Sequence, residues 1–378
     1  MGVEWGARLL VLALVSSIAF ADPLVPAFII FGDSISDVGN NNNITTPIKA
    51  NFLPYGRDFV THSPTGRFCN GKLAVDFTAE YLGFDTYPPP YLSQEGRGGN
   101  AITGVNFASA GSGLFDLTAM TYVSFPNSCI KQTKGITCWV LTIFLVVFLQ
   151  GAISLTRQLN NYREYKRSVV NTEGSKKANE IFSKGIHLLS AGTSDFVQNY
   201  YINPVLRGLY ITPNRFSDQL MRSYSTFIEN LYKLGARRIG VTSLPPTGCL
   251  PAAITLFGLG SNNCVERLNR DASSFNQKLN TTSQGLVARY PDLKLVVFDI
   301  YKPLVDLINK PSDSGFFEAR KACCGTGMLE TSLLCNARSL GTCSNDTSYV
   351  FWDGFHPSEA ANEVLAQDLL EAGFSLIS

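Results

Sequence analysis

The stretch Ala27–Asn40, AFIIFGDSISDVGN, carries an uncharged run that breaks off at Gly-Asp-Ser. Ala27–Phe31 is wholly apolar, with β-branched and aromatic residues behind Pro26, the pattern of a strand buried in a parallel sheet. Gly32 ends it. Ser34 therefore stands at the carboxyl end of a strand, where open α/β sheets place their ligands, on a turn that a residue without Cβ lets bend sharply. The position suits a nucleophile, yet Gly-Asp-Ser is also an ordinary turn tripeptide. What separates the two readings lies at the other end of the chain.

There, Phe351–Pro357, FWDGFHP, sets a carboxylate and an imidazole three residues apart. A base that takes a proton from serine needs one ring nitrogen facing the hydroxyl and the other held by an acceptor, and an Asp about one turn away can supply that acceptor. The chain has only three histidines. His62 lies in a polar loop and reads as solvated. His187, inside the apolar run GIHLLS of Gly185–Ser190, reads as a satisfied core residue. His356 remains as the base, with Asp353 to orient it.

With Ser34 near the start and Asp353 and His356 near the end, the sequence resembles the plant GDSL esterase/lipase family of the SGNH hydrolases. Four blocks carry the resemblance, in order: FGDSISDVGN from Phe31, GVNFASAGSG from Gly104, SAGTSDF from Ser190 and WDGFHP from Trp352. PTGRFCNG from Pro64 and ACCGTG from Ala322 are similar to the family's connecting motifs, and the likeness runs from Pro26 to the C-terminus. It implies ester hydrolysis through an acyl-serine on Ser34, with His356 as base and Asp353 as its partner. It also implies an oxyanion hole from the backbone amides of Ser34 and Gly113, a glycine there avoiding a side chain that would block the carbonyl. The family's third donor, an asparagine, falls on Ser194, a shorter donor whose contribution is open. A catalytically impaired lipid- or glycan-binding member of the same fold is the alternative to an esterase, and turnover of a short-chain nitrophenyl ester separates the two.

Composition bounds the partners. Charged residues make up 16%, the net charge is +1 and no basic tract appears, so nucleic acid is not an expected partner; an acyl ester and a monomeric chain are. No nucleotide fingerprint or metal motif appears, so neither cofactor nor metal is expected. Met1–Ala21 has Arg8, then an apolar stretch from Leu9, then small residues at Ala19 and Ala21. It reads as a secretory signal peptide, too short in its apolar core to span a membrane. Residues 22–378 are then the mature, secreted chain, read as one hydrolase domain. Secretion sets the context for nine cysteines. Cys249 and Cys264 flank a loop and are expected to pair; Cys323–Cys343 should hold at least one more bridge. A zinc site at that cluster is the rival reading, weakened by the lack of an accompanying histidine. Asn43, Asn280 and Asn345 each begin a glycosylation sequon.

Along the chain, apolar strand runs at 27–31, 105–108, 186–190, 238–244 and 294–298 alternate with helical spacing, clearest in Phe216, Leu220, Tyr224, Phe227, Leu231 and Leu234 before Gly235. A last helix should run from Pro357 to about Leu370. The pattern predicts an α/β fold, a three-layer α/β/α sandwich around a five-stranded parallel sheet.

Val123–Gln150 interrupts the family pattern. Its Trp139–Leu149 is eleven residues without a charge, short for a membrane span, and a crossing there would divide one sheet. Val-Ser can be encoded GTAAGT, a splice donor, and Phe-Leu-Gln TTTTTGCAG, an acceptor. Removing these 28 codons joins Tyr122 to Gly151 and restores uninterrupted family-like sequence. The segment reads as a retained intron translated in frame.

Overall fold

Side chains alternate across an extended strand, so Phe28 and Ile30 face one way and Ile29 and Phe31 the other; all four are buried. The computed structural model describes residues 22–97, 101–124, 146–149 and 151–378. The leader at 1–21 and most of the 123–150 insert lie outside the described residues. In chain order the strands are β1 (Phe28–Gly32), β2 (Thr121–Ser124), β3 (Val146–Leu149), β4 (Ile186–Ser190), β5 (Arg238–Thr242), β6 (Lys294–Phe298), β7 (Glu318–Ala322) and β8 (Tyr349–Phe351). The main sheet is parallel, ordered β1-β4-β5-β6, with Gly32 opposite Ser190 at its carboxyl edge.

This sheet has four strands, where the sequence pattern predicted five. The segment Val105–Ala108 does run beside β1: Ile30 N–H donates to Val105 O at 3.1 Å and Phe107 N–H to Ile30 O at 2.7 Å. On its outer side it meets the proline-rich connector, through Asn106 N–H to Pro89 O and Tyr91 N–H to Asn106 O. Only isolated bridges form at Asn106: on the β1 side Gly32 N–H, which would extend the ladder, donates to Gln158 Oε1 instead, and the outer neighbour is a short proline-rich connector.

The helices that border the sheet are α1 (Ala74–Tyr81), α2 (Leu155–Glu173), α3 (Ser175–Lys184), α4 (Pro213–Lys233), α5 (Glu266–Arg289), α6 (Tyr301–Asn309) and α7 (Glu359–Ile377). Ile29, Phe31, Leu189 and Ile239 share one apolar cluster with Tyr162 of α2, Phe227 of α4 and Phe275 of α5. Phe28, Ile30, Leu188 and Phe298 share a second with Val75 of α1 and Leu376 of α7. Helix α4 begins as its spacing predicts, Thr212 Oγ1 accepting from Arg215 N–H with Pro213 in the first turn. Helix α7 runs on to Ile377, past the Leu370 expected, and starts after Pro357, with Ser358 Oγ accepting from Ala361 N–H as its cap. Among the described residues no helix is long and apolar enough to cross a membrane.

Strands β2 and β3 pair antiparallel, Thr121 opposite Leu149, at the root of the insert. Strands β7 and β8 form a separate pair that leads directly into Trp352-Asp353. Bridges join Cys249 to Cys264, Cys323 to Cys343 and Cys324 to Cys335; Cys69 is buried as a free thiol. The neighbouring cysteines 323 and 324 thus staple two loops to the end of β7. Asn43, Asn280 and Asn345 are all exposed.

Candidate active site

Phe31 anchors the strand that leads to Ser34. Its ring stacks on Phe107 at 5.2 Å and meets Phe227 and Tyr162 edge-on at 5.4 and 5.5 Å. Such pairs contribute ~0.5–1.5 kcal/mol each beyond area burial, enough to hold a strand end in register. At Gly32, with φ 144°, a Cβ would lie 2.0 Å from Ser190 O, so no side chain fits. The buried Gln158 amide closes on the same residue, accepting from Gly32 N–H at 3.0 Å and donating to Gly32 O at 2.9 Å. Beyond it, Asp33 N–H bonds Ser190 O and the chain turns, with Ser36 N–H and Asp37 N–H both reaching Asp33 O. Ser34 is held on that turn.

Ser34, Asp353 and His356, three residues singled out from sequence, come together. His356 Nε2 lies 2.7 Å from Ser34 Oγ, and His356 Nδ1 lies 2.7 Å from Asp353 Oδ1. Ser34 and His356 are 322 positions apart in the chain. Asp353 is wholly buried and its Oδ1 also accepts from the backbone N–H groups of Phe355 and His356, at 2.9 and 3.0 Å. The Phe68 ring packs on His356 at 5.2 Å. A hydroxyl, an imidazole and a carboxylate in this chain can move a proton off the serine and stabilise the imidazolium that results.

Asp33 is fully buried beside this chain, and burial pushes its carboxyl up to about 7. Its neighbours pull both ways: the Ile35 N–H bond and His356 lower the value, and Asp195 raises it.

Gly113 lies against a buried carboxylate. A Cβ there would lie 2.4 Å from Asp195 Oδ1, so the glycine admits the Asp195 carboxylate. Asp195, itself pushed up to about 6 by burial, accepts from Leu114 N–H at 2.7 Å, Phe115 N–H at 3.1 Å and Thr118 Oγ1 at 2.6 Å. One carboxylate thereby ties the Gly113 loop to the turn after β4. Ser194, immediately before Asp195, is buried.

The linear pattern assigns no role to several residues that shape the site. Asn40 Nδ2 donates to Asn106 O and Ala108 O, and Asp37 accepts from Gly39, Asn40 and Ala110, so the polar tail of the first block holds the second. Burial raises Asp37 to about 6. Tyr55 and Gln158 were not singled out either. Their partners lie far along the chain, and only its helical spacing with Leu155, Leu159 and Tyr162, a polar position on an apolar face, could have marked Gln158. His62 is exposed, its Nδ1 2.9 Å from Arg57 O. His187 is a core residue, Nε2 meeting Tyr162 OH at 2.8 Å, though Nδ1 has no partner among the described residues. Burial holds it down to about 4, so it stays neutral.

The family model described as GDSL-like Lipase/Acylhydrolase matches residues 28–369. The chain is 60% identical over 365 residues to GDSL esterase/lipase At5g03820 of Arabidopsis thaliana, covering 96% of this chain and 95% of that protein. It is 54% identical over 374 residues to GDSL esterase/lipase APG of the same plant, covering 97% and 98%.

Proposed function

Since the chain belongs to the GDSL-like lipase/acylhydrolase family and is an esterase/lipase hydrolase, we propose that it cleaves acyl esters through an acyl-serine on Ser34, as a secreted protein. Ser34 Oγ attacks the ester carbonyl while His356 Nε2 takes its proton. Asp353 keeps Nδ1–H in place and stabilises the imidazolium. His356 then gives the proton to the departing alcohol, and water repeats the sequence on the acyl-serine to release the acid. The amides of Ser34 and Gly113 hold the oxyanion, with Ser194 as third donor. The observation that carries this reading is the pair of 2.7 Å contacts running Ser34–His356–Asp353.

Three disulfides among the described residues and three exposed sequons support secretion after removal of residues 1–21. The two apolar clusters on opposite faces of β1 support a single α/β/α sandwich over residues 22–378, with the 123–150 insert as an addition from a retained intron. The test is hydrolysis of a short-chain nitrophenyl ester by purified protein. Ser34→Ala and His356→Ala should each abolish turnover while melting as the wild type does, since the two groups act as one unit. Substantial turnover by either folded variant removes the assignment.

A further inference from the structure

An ionised carboxylate offers about four acceptor positions, and a buried one left short of donors is costly. Three donors meet Oδ1 of Asp353: His356 Nδ1 and the N–H groups of Phe355 and His356. Oδ2 faces Tyr55, whose hydroxyl donates to it at 2.7 Å across 298 positions of chain. The same hydroxyl oxygen accepts from Ser332 N–H at 2.8 Å, which leaves its proton aimed at the carboxylate. Tyr55 has no exposure, and Trp352, Phe68 and Phe52 pack edge-on around its ring. Ser332 is itself held: Lys49 N–H donates to its hydroxyl at 3.0 Å, and Cys335, bridged to Cys324, donates its N–H to Ser332 O.

We propose that Tyr55 is a positioning residue for ester hydrolysis, its hydroxyl fixing the rotation of the Asp353 carboxylate and setting how strongly that carboxylate holds the His356 imidazolium. The proposal rests on the Ser34–His356–Asp353 reading above. Burial, then the Asp353 charge, push the phenol well above its ordinary range, so it remains a donor across the working pH. Without that donor, Oδ2 is a bare acceptor in an aromatic shell, free to turn towards the imidazole and compete with Oδ1. The carboxylate charge is then less spread, the imidazolium is held more tightly, and a higher pH is needed to free the base. Asp33, in electrostatic reach of His356, and the Cys69 thiol near Asp353, which burial keeps neutral, also face this pair. Both are common to every variant below, so they cancel in a comparison with wild type.

The experiment measures nitrophenyl ester turnover against pH for the full chain, Ser34→Ala, Tyr55→Phe, Phe52→Leu and a protein carrying 3-fluorotyrosine at position 55. Loss of turnover in Ser34→Ala establishes the underlying reading; if it persists, the triad assignment falls on its own. In Tyr55→Phe, kcat should drop roughly ten- to a hundredfold, the scale of a hydrogen bond to a charged group, with the acid limb moved to higher pH and KM within about twofold. Phe52→Leu removes ring packing alone and should lower the melting temperature without moving the limb. Fluorotyrosine keeps the shape and strengthens the donor, so its limb should move to lower pH, and it decides the matter if Tyr55→Phe does not fold. Wild-type kcat and an unmoved acid limb in folded Tyr55→Phe, or an unmoved limb in the fluorotyrosine protein, overturn the proposal.

Discussion

The Ala152 N–H donates to the carbonyl of Ala119 at 3.1 Å, so the chain comes back from the insert to the point it left. The β2–β3 pairing of Thr121 with Leu149 continues to hold the two flanks side by side further into the insert. Tyr122 lies opposite Phe148, three residues short of Gly151, so joining Tyr122 to Gly151 asks for local repositioning of a few flanking residues rather than a new path for the chain. The chain lacking Val123–Gln150 should express as more soluble protein and turn over ester faster, since an uncharged apolar run is removed at the cost of only a local adjustment of its flanks. Insoluble or inactive protein from that deletion, or a gene without GT and AG at those codons, would make the segment native structure.

Asp33→Asn should stabilise the fold at neutral and alkaline pH. The folded-state value of about 7 lies above the ordinary 3.8, so folding carries the full cost of a buried charge above about 7. That cost is relieved as pH falls from there towards 3.8, because the folded chain takes up a proton that the unfolded chain lacks. An asparagine oxygen can still accept from Ile35 N–H. Thermal melts should show a larger gain at about pH 8 than at about pH 5; an equal or reversed difference refutes the argument.

Ser194→Asn tests whether the oxyanion is under-supported. A longer amide donor acting only on the developing charge should raise kcat with little change in KM, up to the ~100-fold scale of one such donor. Steady-state kinetics at the pH optimum decide it, and an unchanged or lower kcat means the site is complete with serine.

Gln158→Met keeps the volume but removes both bonds to Gly32. Leaving the buried Gly32 N–H without a partner costs ~1–3 kcal/mol. Urea denaturation should show a lower midpoint with the slope unchanged, and activity should fall because the strand end that carries Ser34 loosens. A midpoint equal to wild type would mean that water replaces the amide.

Much of the site could be read from the linear chain for a physical reason. A nucleophile at a strand end and an acid–base pair within a few residues are local patterns, and a shortage of histidines left few candidates. Tyr55 could not be read that way: it sits in a Pro-Tyr-Gly loop, and its roles depend on Asp353 and Ser332, hundreds of residues on. At Gly113 the linear pattern gives a glycine but not the Asp195 carboxylate that occupies the place of its Cβ, a partner far along the chain. The strand count differs at Val105–Ala108, whose composition is strand-like but whose ladder with β1 stops where Gly32 N–H turns to Gln158 and whose outer neighbour is a short proline-rich connector. Apolarity reports burial; whether a ladder forms depends on the neighbour.

The 322 positions between Ser34 and His356 also govern timing. A chain made from its N-terminus exposes the GDSL turn early, while the base and its carboxylate emerge only in the final stretch. Lys72 N–H bonds the Glu359 carboxylate and Glu359 N–H bonds Asn70, so the last helix closes against the first only after nearly everything else exists. A nascent or truncated chain ending before Asp353 holds a serine without a proton acceptor. On the proposed triad, ester cleavage cannot precede the synthesis of Asp353 and His356.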